Sequence, residues 1–87
     1  MGTEYRIRCA PEADPADALR RLPTAVERPH GFDFGPPPGD PGWPDATASV
    51  DADGIVFCDN LGGEGPRRLG ELVAALAGYG PVTVEEL

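Results

Sequence analysis

The spacing of apolar and polar residues changes character several times along the chain. Over Glu4–Ala10, Tyr5, Ile7 and Cys9 alternate with Arg6 and Arg8, and Pro11 follows. That is the period of a half-buried strand with a stop behind it. Asp14-Pro15-Ala16-Asp17 then has the marks of a helix start. Asp14 suits the cap, Pro15 the first helical position, and Asp17 the positive end of the dipole. Ala18, Leu19 and Leu22 form a short apolar stripe, Arg20 and Arg21 fall in the last turn, and Pro23 ends the helix. A helix this short holds only if it is packed against something.

The strongest local signal is Ala46–Asn60, ATASVDADGIVFCDN. Asp53-Gly54 separates two β-prone runs, Ala46–Val50 and Ile55–Cys58, and predicts a hairpin. A two-residue loop of Asp53 and Gly54 pairs Val50 with Phe57, whereas a four-residue loop over Asp51–Gly54 pairs Val50 with Ile55. Either register sends Ala48, Val50, Ile55 and Phe57 to one face and Thr47, Ser49, Val56 and Cys58 to the other. The first set is expected to be core and the second a working surface. Downstream, Leu69, Leu72, Val73, Leu76 and Tyr79 lie at helical spacing within a helix expected from Pro66 to about Tyr79, with Gly78 or Gly80 at its end. A last strand, Val82–Glu86, turns Val82 and Val84 inward and Thr83 and Glu85 outward.

Pro23–Asp45 fits neither period. It holds Pro23, Pro29, Pro36, Pro37, Pro38, Pro41 and Pro44, interleaved with glycines. Such a stretch resists helix and central-strand pairing and reads as a long surface loop. Within it, Gly31–Gly35 is expected to make at most a short edge strand. The ordinary role for Phe32, Phe34 and Trp43 is to pack over a core edge; the functional one is a binding loop anchored by Trp43.

The order strand, helix, hairpin, helix, strand predicts an α+β fold. It matches the ferredoxin-like split βαβ topology, with a four-stranded antiparallel sheet of order 4-1-3-2 and both helices on one face. The 87 residues are read as one domain. The match concerns topology alone and implies no activity.

Composition narrows the function classes. The formal charge is -8, and all seven cationic side chains are arginine. This argues against nucleic acid and for solubility or a basic protein partner. No apolar run approaches a membrane span and no signal pattern opens the chain, so no membrane partner and a cytoplasmic location are expected. Cys9 and Cys58 should lie on opposite faces as free thiols.

On the uncovered face, Arg6 and Arg8 would stand beside Val56 and Cys58. Their ordinary role is cross-strand pairing with Glu85; their functional role is an anion contact or the centre of a homodimer interface through the sheet face. Gly63, Gly65, Arg67 and Arg68 mark a glycine-rich turn into a helix that can hold an anion, although neither phosphate-binding glycine pattern is present. Asp51-Ala52-Asp53-Gly54 lacks the later ligands of a calcium loop, whose twelfth position falls on Gly62. No Cys/His spacing suggests zinc. No metal, cofactor or catalytic residue is assigned. His30, the single histidine, sits in the proline-rich stretch away from Cys58.

Three functions follow in order. The first is an acidic, non-catalytic protein-binding module of inhibitor, immunity or accessory type. It would use the open face (Arg6, Arg8, Val56, Cys58) and the loop residues Phe32, Asp33, Phe34 and Trp43. The second is a dimeric sensor of a small ligand or anion using Arg6 and Arg8. The third is a small thiol-dependent enzyme built on Cys58.

Overall fold

The computed structural model describes residues 2–35, 44–60 and 65–87. Two helices, α1 (Pro15–Arg20) and α2 (Gly65–Ala77), accompany six strands: β1 (Thr3–Arg8), β2 (Ala25–Arg28), β3 (Gly31–Phe34), β4 (Ala46–Asp51), β5 (Gly54–Asp59) and β6 (Thr83–Glu86). All six strands join one antiparallel sheet of order β2-β3-β4-β5-β1-β6. The four-stranded ferredoxin-like sheet expected from the sequence is therefore incorrect.

The difference arises in Pro23–Asp45, which is not simply a loop. It supplies β2 and β3, a hairpin added beside β4, and Phe32 and Phe34 pair with Ala48 and Ala46. The two prolines that flank β2 do not oppose this arrangement. Pro23 and Pro29 stand just outside β2, where no ladder amide is needed. Gly31–Phe34 is not an edge strand either, because β2 lies beyond it.

The β4–β5 hairpin takes the register Val50 opposite Ile55, and Asp51 opposite Gly54 shortens the loop to Ala52 and Asp53. The Asp51 carboxylate accepts the Asp53 amide at 2.9 Å, an Asx turn that fixes the reversal. Gly54 follows at φ 126°, and a Cβ there would collide with the Ile7 carbonyl of β1. Glycine is thus required both for the turn and for the approach of β1. At α1, the Asp14 side chain accepts the Asp17 amide at 3.1 Å and Pro15 occupies the first turn.

Both helices pack on one face of the sheet. The core joins Ala18, Leu19 and Leu22 around α1 and Leu72 and Leu76 of α2 to Ile7, Phe32, Phe34, Ala46, Ala48, Ile55 and Phe57. Phe34 and Phe57 meet at its centre, ring centroids 6.2 Å apart. Five spacings of ~4.8 Å make the sheet roughly 24 Å wide, while two helices cover about 10 Å each. The cover runs short at the β6 side. Val84, expected to face inward, is 45% exposed.

Because Phe34 is fully buried in a strand of the added hairpin, Phe34→Ala should lower unfolding free energy by about 3 kcal/mol, with Val26→Ala on β2 costing less than about 0.5 kcal/mol. Urea denaturation followed by circular dichroism measures both. A Phe34→Ala loss under about 1 kcal/mol would remove the hairpin from the core.

Candidate functional site

The face opposite the helices is open. Register places Val26, Asp33, Thr47, Cys58 and Glu4 in one row across it, and Arg28, Gly31, Ser49, Val56, Arg6 and Glu85 in the next. At the centre stand Thr47, Ser49, Val56 and Cys58, all half-buried and uncharged. Charged side chains surround them.

Arg6 lies down across β5 and donates to both carboxylate oxygens of Asp51, at 2.7 and 2.8 Å. That two-pronged bond holds Asp51 below the ordinary carboxylate value, helped by the Asp53 amide, and raises the arginine further still. Arg8 reaches Glu85 at 3.3 Å. On the far side, Asp33 receives Arg28 at 3.2 Å and lies 3.3 Å from His30 Nε2.

The pairing extends beyond this face. Arg20 bonds Glu27, and its guanidinium stands 5.9 Å from the centroid of the Phe32 ring. Arg21 bonds Asp17, while Arg67 and Arg68 both approach Glu71. Each of the seven arginines in the chain thus lies within ion-pair distance of a carboxylate.

The expected site residues separate on this geometry. Arg6, Arg8, Val56, Cys58 and Asp33 share the open face. Phe32 and Phe34 do not: at 4% and 0% exposure they are core, and offer a partner no surface. The correction has a simple cause, since both project to the helix side of an interior strand. Trp43 and Gly63 lie outside the described residues. Gly65 begins α2 where a Cβ would run into the Asp59 carboxylate, so an acid of the chain itself already stands at this helix end. Arg68 is turned into the core-facing stripe with Leu72 and Leu76, bonds Glu71 at 2.6 Å, and leaves its Nε without a hydrogen bond. The sequence offers Arg68 as an anion contact at the helix start, and its burial is not legible there because an arginine on an apolar stripe gives no periodic signal.

Cys58 donates to Asn60 Oδ1 at 3.3 Å, and Asn60 in turn donates to the Pro44 carbonyl at 2.8 Å. Its neighbours in register are Glu4 and Thr47. Asp33, the partner of His30, is two strands away, about 10 Å, beyond the reach of a nucleophile–base pair. Cys9 packs against the core on the other face, so the two free thiols are apart. An open concavity of about 390 Å³ at the β4–β5 turn is lined by Arg8, Cys9, Pro11, Asp51 and Asp53, of which Arg8 and Asp51 are held in ion pairs. Among the described residues no His, Cys, Asp and Glu side chains cluster as a metal site, and no helix is long and apolar enough to cross a membrane.

No protein-family model matches this chain, and neither does any curated protein or solved structure.

Asp51 provides a pH test of the open face. Its folded value is depressed, so its contribution to stability is complete above the ordinary 3.8 and disappears as pH falls through the lower folded value. Asp51→Asn keeps the turn geometry and removes the charge. Its urea midpoint should lie below that of the wild type at neutral pH and converge with it in acid. A gap that stays constant with pH would show that Arg6 and Asp51 do not interact in solution.

Proposed function

We propose that this protein is a small acidic protein-binding module, non-catalytic, whose contact surface is the open face of the sheet. The observation that carries this reading is the anatomy of that face. An uncharged centre of Thr47, Ser49, Val56 and Cys58 is framed by arginines and acids already fixed to one another. Protein interfaces are built this way, with charge depleted at the core and polar groups at the rim. Holding Arg6 on Asp51 in advance reduces the ordering cost of binding.

The formal charge of -8, with every arginine beside a carboxylate, leaves surplus acid on the surface. That surplus favours a basic partner and speeds its approach. It also weighs against an anion sensor, which would have to take Arg6 or Arg8 from an existing pair. A thiol enzyme is supported less, because His30 and Asp33 stand two strands from Cys58, whose thiol is bonded to Asn60. The reading takes the protein as cytoplasmic, in keeping with two free cysteines on opposite faces.

Ser49→Arg places a long cation in the middle of the face, and Ala74→Arg places one on the exposed side of α2 as a control. Affinity capture from the native host's lysate, with partners identified by mass spectrometry, should recover a basic protein with the wild type and Ala74→Arg and lose it with Ser49→Arg. Recovery that is equal across all three would mean the open face is not the contact.

A further inference from the structure

Among the described residues the sheet ends in two edges, β2 and β6, and they differ. The Leu87 amide donates to the Glu4 carbonyl at 2.8 Å, and the same register pairs Arg6 with Glu85 and Arg8 with Thr83. Hydrogen-bonded pairs alternate along an antiparallel ladder. The N–H and C=O groups of Val84 and Glu86 therefore point away from β1. All four residues of β6 are exposed, with no proline among them. At β2, by contrast, the Ala25 amide is already bonded to the Leu22 carbonyl at 3.3 Å, Pro23 and Pro29 bracket the strand, and Arg20 holds Glu27. Such devices close an edge to further strands; β6 has only its charge and Pro81, two residues before Thr83.

The charge on β6 points to its occupant. Glu86 forms no ion pair among the described residues. The Glu85 side chain is 60% exposed and meets Arg8 only at 3.3 Å. We infer that the β6 edge takes up an extended basic segment of a partner protein as a seventh, antiparallel strand. Read from its N-terminal side, that segment carries a basic residue opposite Glu86, a second opposite Glu85 and an apolar residue opposite Val84. The residues facing Glu86 and Val84 exchange backbone hydrogen bonds with them and lie on the helix side, where Val84 is left bare. The middle residue projects to the open side beside Glu85. A second copy of the chain fits less well, because its own Glu85 and Glu86 would line the same seam. The inference concerns a different surface from the open face and stands if that face proves inert.

The test uses a fluorescein-labelled octapeptide with Arg-Arg-Val at its centre, followed by fluorescence polarisation against the full chain. A peptide with Glu-Glu-Val at the same position is the comparison. Val84→Pro removes the outward amide and leaves the ladder to β1 intact, a substitution that edge strands tolerate. Glu86→Lys reverses the charge, and Ser49→Arg blocks only the open face. The Arg-Arg-Val peptide should bind the wild type and Ser49→Arg alike, and Val84→Pro and Glu86→Lys should each weaken it about tenfold. If circular dichroism shows Val84→Pro unfolded, Glu86→Lys decides. Equal binding of the two peptides, unchanged binding by Glu86→Lys, or loss with Ser49→Arg would overturn the inference. So would a dimer in sedimentation equilibrium that Glu86→Lys strengthens, since that assigns the edge to a second copy.

Discussion

A six-stranded sheet has two faces to satisfy, and this chain has helix enough to cover most of one. The rest of the structure follows from that shortage. The helices settle over the middle strands, where Phe34, Phe57, Ile7 and Ile55 gather their apolar surface into one core. Among the described residues the opposite face has no helix, and it is finished with small polar residues and paired charges. At the β6 side even the covered face runs out of cover, and Val84 is left 45% exposed.

The pairing of charge on this molecule is best understood as surface finishing more than as stabilisation. Exposed ion pairs contribute little individually, and most of these are exposed. Arg6 with Asp51 differs because the arginine is largely covered and holds its partner with two bonds. It ties β1 to the β4–β5 turn across the intervening strand, so one side chain links three strands on the open face. Arg68 shows the opposite case, an arginine inside the core boundary whose Nε has no acceptor and for which the packing gives no reason.

Much of this was legible in the sequence where residues had to obey a period. β1, α1, β4, β5 and α2 announced themselves because each buries one face and exposes the other. The opposite placement of the two cysteines followed from the same alternation. β2 gave no such signal: Ala25-Val26-Glu27-Arg28 buries almost nothing, since an edge strand needs only its ladder. β3 was visible in Phe32 and Phe34 but was ranked as an edge, because the surrounding prolines suggested that nothing could lie beyond it. The two phenylalanines admit both packing over a core edge and a contact surface, and the structure places them in the core. Partners of the charged residues were less legible still. Arg6 reaches Asp51 across β5, a diagonal contact that depends on the turn register, which the sequence left open between two choices.

The strand that ends the sheet at β6 is held on one side only. With solvent over both its faces, little besides the ladder to β1 opposes its detachment, and such segments open at a lower free energy than the interior. Any molecule that pairs with β6 meets it only in the closed fraction, so its apparent affinity is reduced by that fraction. By the same linkage, occupancy holds the strand closed and turns the least protected part of the sheet into an interior one. Stability and recognition at this edge are therefore a single equilibrium seen from two sides.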